Sequence, residues 1–201
     1  MDGKLRNMTS VYLTGEQGIL CLYRIGSKVV NNKFIGSAGG HFEKDELNDA
    51  RACVLRELEE ELGLCEDDVA DLKLRYITLR LKNGEIRQNY FFFGKLNTDR
   101  QLQSTEGILH WKTDEDFPDL PMPASAKHMI LHYLKVGRYD DKLYGGYARA
   151  EHVTCFAKRF DEVDYIELYL PARTAVVLKE GYVRERKPVE EAKEAKKAEK
   201  K

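Results

Sequence analysis

Three glutamates stand on adjacent turns of one predicted helix, within residues 56–64. At 100° per residue, Glu57, Glu60 and Glu61 fall within one sector of about 100°, while apolar residues recur at i+4 spacing on the neighbouring sector. Like charges at i+3 or i+4 cost about 0.2–0.5 kcal/mol per pair on an isolated helix, so folding alone does not favour the cluster. A bound cation would reverse the sign of that contribution. The pattern therefore predicts a divalent-metal site on a helix whose other face packs against a core.

The competing interpretation is a glutamate-rich helix exposed to solvent, since 33% of the residues are charged. The spacing argues against it. Five fixed positions, R-E-x-x-E-E-x-G, are expected by chance on the order of once in a thousand chains of this length and charge content. A glycine pair, Gly39-Gly40, precedes Arg56 by sixteen residues and makes coincidence rarer still.

Composition limits the classes of protein that fit. With 201 residues and 42% apolar content, the chain can form one domain of ordinary size plus an extension. The net charge of −1 provides no overall field for nucleic acid or anionic membranes, and the apolar runs are shorter than the roughly 20 residues that span a bilayer. We expect a cytoplasmic protein, without a signal peptide. Four widely separated cysteines suggest reduced thiols that mostly pack in the core: Cys21, Cys53, Cys65 and Cys155.

The first half of the chain predicts a hairpin followed by the carboxylate helix. Residues 11–13 and 18–25 have strand composition and flank a polar turn. A polar loop leads from the glycine pair to Asn48, which suits the N-cap of a helix that ends at Leu62. Gly63 suits the left-handed position after the last helical turn.

Further strands and a second helix follow. Residues 72–81 and 86–96 flank Asn83-Gly84, the strongest short signal for a β-hairpin. Residues 107–111 predict a short strand, and 124–136 have helical spacing. Because strands and helices are mixed and hairpins are present, we predict the α+β class. We expect a main domain at 1–145 and an extension of unknown role at 146–186, with a further hairpin at 165–170 and 174–178. The charged tail at 187–201 is expected to be frayed or disordered.

The glycine pair, the polar loop and R-E-L-x-E-E-x-G-L on a helix between antiparallel strands resemble the Nudix hydrolase signature, G-x5-E-x7-R-E-U-x-E-E-x-G-U. The second half matches from Arg56 to Leu64 without a gap. Gly40 and Glu46 satisfy G-x5-E, but nine residues rather than seven separate Glu46 from Arg56. We interpret this as a two-residue insertion before the helix. The resemblance implies an α/β/α sandwich with a mixed sheet.

Residues 8–136 also resemble the branch of 8-oxo-dGTP diphosphatases in the order of their strands and of the final helix. Glu106-Gly107 resembles that branch's metal-binding loop, and residues 121–125 resemble its entry into the last helix, with Ser125 where an amide side chain is found. The ADP-ribose branch usually has a proline about fifteen residues after the signature, whereas this chain has Thr78-Leu79-Arg80. The upstream mark of coenzyme A hydrolases is also missing.

The resemblance implies the following site. Mg²⁺, with Mn²⁺ as a substitute, suits oxygen ligands; the ligands implied are the carbonyl of Gly39 and the carboxylates of Glu57, Glu60, Glu61 and Glu106. Either Glu57 or Glu60 serves as general base, and Arg56 orients a carboxylate of the loop or helix. Substrate contacts fall to Arg24, Gly40 and Ser125.

The leading function is therefore a Mg²⁺-dependent pyrophosphohydrolase that converts a nucleoside triphosphate, with 8-oxo-dGTP preferred, to monophosphate and pyrophosphate. Two alternatives remain: a ligand-sensing or regulatory module of the same fold, or a hydrolase of another nucleoside diphosphate derivative such as ADP-ribose. The expected partner is a small-molecule nucleotide, with no nucleic acid or membrane and with a homodimer left open. We expect His41 to stabilise its loop and Phe91-Phe92-Phe93 to pack in the core.

Overall fold

The computed structural model describes residues 4–26, 31–149 and 152–156. Eight strands and two α-helices follow one another in this part of the chain: β1 (Lys4–Gly15), β2 (Gly18–Arg24), β3 (Lys33–Ile35), α1 (Ala50–Leu62), β4 (Val69–Lys82), β5 (Glu85–Leu96), β6 (Gly107–Lys112), α2 (Ala124–Lys135), β7 (Tyr144–Arg149) and β8 (His152–Phe156). Single-turn 3₁₀ helices lie at Glu66–Asp68 and Gly137–Tyr139. None of the described helices is long and apolar enough to cross a membrane.

The strands form one mixed sheet in the order β3-β2-β1-β5-β4-β7-β8, with β6 paired to β2. The β1–β5 and β4–β7 pairs are parallel, and the other pairs are antiparallel. The two hairpins predicted in the first hundred residues are present, as β1–β2 and β4–β5. Asn83 and Gly84 between β4 and β5 have φ of 53° and 75°, the left-handed conformation that an Asn-Gly hairpin turn requires. The predicted α+β class is confirmed.

Helices cover both faces of the sheet, α1 on one and α2 on the other. Successive residues of a strand point to opposite faces, so neighbouring residues of the central strands pack against different helices. Val11 and Leu13 of β1 pack with α1, whereas Tyr12 between them packs with α2. On β5, Phe92 lies on the α1 face, and Phe91 and Phe93 lie on the α2 face. All three rings are at most 4% exposed. The prediction that these aromatic residues pack in the core is confirmed. All three are buried because helices cover both faces of the sheet at this point.

Helix α1 has defined signals at both ends. Its N-cap is Asp49 rather than the predicted Asn48, since the Asp49 side chain accepts hydrogen bonds from the backbone N–H groups of Arg51 and Ala52, each at 3.0 Å. At the other end Gly63 has φ 64°, as predicted for a left-handed cap. The first and last residues of the carboxylate helix are thereby defined by local hydrogen bonds and backbone conformation.

The chain after α2 continues the sheet through β7 and β8, so part of the predicted extension is built onto the domain that precedes it. The proposed hairpin at 165–178 and the tail at 187–201 lie outside the described residues. Cys21 and Cys53 are buried as expected, but Cys65 is exposed, where its thiol contacts Asp68. The side chain of the fourth cysteine is not among those described.

Candidate active site

The loop that carries the glycine pair runs alongside β1 and is held by backbone hydrogen bonds. Val11 N donates to Ala38 O at 2.9 Å, and Thr9 N donates to Gly40 O at 2.8 Å. Gly39 has φ 145°, and a Cβ at this position would lie 2.4 Å from Thr9 O. A side chain is therefore excluded by both conformation and space, which explains a glycine at this position.

Both glycines contact carboxylates of α1. A Cβ on Gly40 would lie 2.3 Å from Glu57 Oε1, so the absence of a side chain lets this carboxylate approach the backbone. The backbone N–H of Gly39 donates to Glu61 Oε2 at 3.0 Å. The glycine pair and the helix, separated in sequence, thus form one site, as the spacing of the signature predicted.

Arg56 lies at the centre of one group of carboxylates. Its Nε and Nη2 donate to the two oxygens of Glu46 at 2.6 and 3.0 Å, and its Nη1 lies 2.9 Å from Glu57 and 2.8 Å from Glu60. Nη2 also donates to the carbonyl of His41 at 3.0 Å. The guanidinium therefore fixes the loop against the helix by charge-assisted hydrogen bonds, in the geometry expected of an orienting arginine.

Glu46, whose place in the signature was uncertain, is the main partner of Arg56. It is only 7% exposed, and its second oxygen also accepts from Glu43 N at 2.8 Å. Its hydrogen bonds with Arg56 lower the pKa of Glu46 to about 2. The two extra residues before the helix are thus accommodated in the loop without separating Glu46 from Arg56.

A second group of carboxylates is arranged differently. Burial raises the pKa of Glu61 to about 8, and the charge of the neighbouring Glu106 carboxylate, which shares a hydrogen bond with it, adds to the shift. On its other side Glu106 forms an ion pair with Arg24, with Nη2 and Oε2 2.7 Å apart. Arg24, predicted to contact nucleotide, thus contacts a predicted metal ligand.

These oxygens are of the type that a hard divalent cation prefers. Within residues 4–26, 31–149 and 152–156, no three acidic, histidine or cysteine side chains converge on one point. Glu60 instead forms an ion pair with Arg56, and Glu106 forms one with Arg24. The contact between Glu61 and Glu106 is nevertheless unfavourable for two ionised carboxylates, and a cation between them would make it favourable. The carboxylate oxygens are thus of the kind that would hold a divalent cation, and Arg56 and Arg24 are the present partners of Glu60 and Glu106.

Two other predicted residues lie apart from the carboxylates or at their margin. Ser125 is buried in the first turn of α2, on the face of the sheet opposite α1. His41 is exposed, and its carbonyl rather than its ring contacts Arg56. Partial desolvation of its ring by neighbouring atoms, followed by the charge of Arg6, nevertheless lowers the pKa of His41.

Comparison with known proteins agrees with this arrangement. A NUDIX domain model matches residues 4–133. Similar solved structures include a mutator MutT protein from Bacillus halodurans, with 23% identity and a TM-score of 0.56, covering 76% of this chain and 96% of that one. A MutT protein from Methanosarcina mazei Go1 has 18% identity and a TM-score of 0.56, covering 67% of this chain and 96% of that one. A Nudix hydrolase from Nitrosomonas europaea has 14% identity and a TM-score of 0.55, covering 75% of this chain and 82% of that one. No curated protein matches the chain.

The structural neighbours are all under 25% identical to this chain, so their likeness concerns the fold. The family model covers well over half of the sequence and includes the glycine pair, the carboxylate helix and the Glu106 loop. The chain belongs to the Nudix hydrolase family.

Proposed function

We propose that this chain is a Mg²⁺-dependent pyrophosphohydrolase that cleaves a nucleoside triphosphate between the α- and β-phosphates. The observation that supports it most is the convergence of Glu57 and Glu61 on the glycine pair, with Gly40 against one carboxylate and the Gly39 N–H bonded to the other. The contact between the carboxylates of Glu61 and Glu106 is unfavourable when both are ionised, and a bound cation would offset it. Water supplies the oxygen that bonds to phosphorus, the anhydride P–O bond breaks, and monophosphate and pyrophosphate leave.

The proposed ligands of the ion are the Gly39 carbonyl and the carboxylates of Glu57, Glu60, Glu61 and Glu106. When bound, Mg²⁺ supplies positive charge that offsets the negative charge of the phosphates and lowers the pKa of water. Mn²⁺ has similar preferences for oxygen ligands and is expected to substitute.

Two carboxylates are candidates for the general base, and their surroundings differ. Burial raises the pKa of Glu57, despite the opposing effect of Arg56, and so makes it a stronger base than an ordinary glutamate. Glu60 is more accessible, with 57% of its side chain exposed. Arg56 acts as a positioning residue, since its hydrogen bonds set the directions of both carboxylates. Arg24 and Gly40 are proposed to contact the substrate phosphates.

The preferred substrate is proposed to be a triphosphate with oxidised guanine. Support comes from the Glu106-Gly107 loop, the 121–125 turn and the absence of proline at 78–80. Ser125 is proposed as a base contact, and its short side chain implies a contact through water. Recognition of the altered base edge by a polar side chain is expected to give roughly ten- to a hundredfold discrimination.

The test is a release assay for phosphate and pyrophosphate on 8-oxo-dGTP, dGTP and ADP-ribose, each with Mg²⁺ and with EDTA. The expected result is Mg²⁺-dependent release of pyrophosphate, with the highest kcat/KM for 8-oxo-dGTP. A higher kcat/KM for ADP-ribose would overturn the substrate assignment and leave the metal site intact. No hydrolysis of any of the three would favour a sensing module.

A further inference from the structure

The ion pair between Arg24 and Glu106 lies at one end of a strand pair. Arg24 is the last residue of β2 and Gly107 is the first residue of β6, and the two are register partners. A Cβ on Gly107 would lie 2.2 Å from the carbonyl oxygen of Tyr23, so the glycine lets β6 approach β2 closely. Glu106, the residue before this glycine, thereby comes within 2.7 Å of the Arg24 guanidinium.

The pair lies on the same face of the sheet as α1. Leu20, four residues before Arg24 on β2, packs with α1, and side chains four residues apart on a strand project from the same face. Glu106 is in turn in hydrogen-bond contact with Glu61 of α1. A continuous line of contacts therefore runs from the Gly39 N–H through Glu61 and Glu106 to Arg24.

The Arg24–Glu106 contact is weak and replaceable. Within the described residues Glu106 is the one acidic partner of Arg24, and the two side chains are 26% and 32% exposed. Ion pairs with this exposure change an equilibrium constant by no more than about fivefold, because water and salt screen them. Both side chains also lie where the strand pair ends, so they can change partners without disrupting the sheet.

Stability of the sheet does not explain the position of Glu61 beside this pair. Two ionised carboxylates in contact repel one another, so Glu106 would form a better ion pair with Arg24 if Glu61 were elsewhere. The arrangement instead surrounds one carboxylate, Glu106, with a second carboxylate on one side and a guanidinium on the other. Glu106 can therefore bind a cation between itself and Glu61 or hold Arg24, and the two interactions compete.

The competition has a direct electrostatic cause. Arg24 and a divalent cation held by Glu61 and Glu106 are both positive, and like charges within ~4–6 Å oppose one another. Arg24 must then give up part of its contact with Glu106, and it is stabilised only if another anion replaces that carboxylate. Phosphate is such an anion, because a guanidinium group matches its geometry with paired donors.

We propose that Arg24 couples metal binding to phosphate binding: it opposes the bare divalent cation by holding Glu106, and it favours the cation that arrives with a phosphate chain. The proposal rests on the function proposed above and adds to it a residue that selects the metal–nucleotide complex over the free ion. Arg24 is thus a positioning residue for Glu106 in the absence of metal and a phosphate contact in the complex.

Binding of Mn²⁺ alone to the full chain, followed by electron paramagnetic resonance, tests the first half of the proposal without hydrolysis. Arg24→Gln should bind Mn²⁺ about three- to fivefold more tightly than wild type, because no guanidinium then competes for Glu106. Arg24→Lys keeps the charge and should bind Mn²⁺ as wild type does. A purely structural Arg24 would have the opposite effect, so weaker or unchanged Mn²⁺ binding in Arg24→Gln would overturn the inference.

Two controls separate this contact from a general loss of positive charge. With Glu106→Gln in place, Arg24→Gln should no longer tighten Mn²⁺ binding, since the effect passes through Glu106. Arg6→Gln is the matched variant, because Arg6 pairs with Glu85 and, like Arg24, helps to lower the pKa of His41 beside the glycine pair. Equal tightening in Arg6→Gln, or tightening that persists with Glu106→Gln, would assign the effect to the overall field and overturn the inference.

A triphosphate with a methylene group between its α- and β-phosphates, which resists cleavage there, tests the second half. Arg24→Gln should bind its Mn²⁺ complex about tenfold more weakly than wild type, the reverse of the effect on Mn²⁺ alone. Equal or tighter binding of the complex in Arg24→Gln would overturn the coupling. Thermal unfolding of each variant checks that the fold is retained.

The inference and the proposed function fail separately. Opposite effects of Arg24→Gln on the bare ion and on the complex, without hydrolysis of any nucleotide, would refute the proposed function alone. Mg²⁺-dependent hydrolysis with a Mn²⁺ affinity that Arg24→Gln leaves unchanged would refute the role of Arg24 alone.

Discussion

Glu46 lies in the loop that follows the glycine pair, Glu61 contacts that pair from α1, and the two carboxylates are held in opposite ways. Glu46 forms two hydrogen bonds with Arg56, and its pKa is lowered to about 2. Burial and the charge of Glu106 raise the pKa of Glu61 to about 8. The first carboxylate is stabilised by the protein as an anion, whereas the second is destabilised as an anion.

The opposite pKa shifts distinguish a carboxylate that stabilises the fold from one whose charge the fold leaves without compensation. Glu46 is satisfied by the fold itself, because a guanidinium supplies the counter-charge that burial requires. Among the residues that the structure describes, no arginine or lysine forms an ion pair with Glu61, and Arg24 contacts Glu106 instead. A site that requires an external cation is expected to contain carboxylates of the second kind. Glu46 and Arg56 thus hold the loop together, whereas Glu61 has the surroundings expected of the metal ligand proposed above.

Arg56→Gln should have the largest effect on stability. The substitution leaves Glu46 buried without its partner, and breaking a buried pair costs about 3–5 kcal/mol. Chemical denaturation at pH 7 measures the loss. Arg51→Gln on the same helix is the control, since it removes only an exposed ion pair with Glu66 and one hydrogen bond to the carbonyl of Leu72, and it should cost no more than about 2 kcal/mol. Equal losses in the two variants would remove the structural role assigned to Arg56.

The pH dependence of that loss provides a second check. The folded-state pKa of Glu46 lies below its unfolded value, so the pair contributes stability above about pH 4.5 and loses it as the pH falls toward 2. The difference in stability between wild type and Arg56→Gln should therefore shrink as the pH is lowered from 5 to 2. A constant difference would place the cost of the substitution elsewhere.

Glu60→Gln should keep the fold and lose most turnover. The amide preserves volume but removes the charge proposed to hold Mg²⁺, and a loss of kcat of roughly a hundredfold, about 2.7 kcal/mol, is expected. The measurement is kcat at saturating Mg²⁺. Glu59→Gln is the internal control, because Glu59 is exposed and points about 100° away around the helix. Near wild-type kcat in Glu60→Gln would contradict its assignment as a ligand.

Gly40→Ala tests the approach of the loop to Glu57. Its Cβ would lie 2.3 Å from Glu57 Oε1, so the carboxylate must move, and a drop in kcat/KM of about tenfold is expected. The loss of stability should stay small, because the displaced atoms belong to the end of a flexible side chain. Unchanged kcat/KM would show that the position of the Glu57 carboxylate is not important for catalysis.

Much of this fold was predictable from local patterns. The Asn83-Gly84 turn and the Gly63 cap each have a direct physical cause in neighbouring residues, and each is found as predicted. The grouping of Glu57 and Glu61 around the glycine pair was also expected, because the motif contains both parts of the site.

Other features depended on contacts that a single sequence does not display. The Glu46–Arg56 pair crosses an insertion of two residues, and the length of a loop does not indicate how its ends meet. The ion pair of Arg24 with Glu106 and the register of Arg6 with Arg87 join strands that are about 80 residues apart in the chain. Such long-range pairing is set by the packing of the whole sheet rather than by local spacing.

The smallest predicted effect concerns Glu61 in the protein without metal. Its folded-state pKa lies above its unfolded value, so its contribution to stability is fully present below about pH 4.5 and is lost as the pH rises through about 8. In EDTA, stability should therefore fall between pH 5 and pH 8.5, and Glu61→Gln should flatten this dependence because the amide does not ionise. Chemical denaturation across this range measures the slope, and added Mg²⁺ should reduce it in wild type by stabilising the ionised carboxylate. An identical slope in the variant would mean that Glu61 ionises without cost, and the contrast with Glu46 would then disappear.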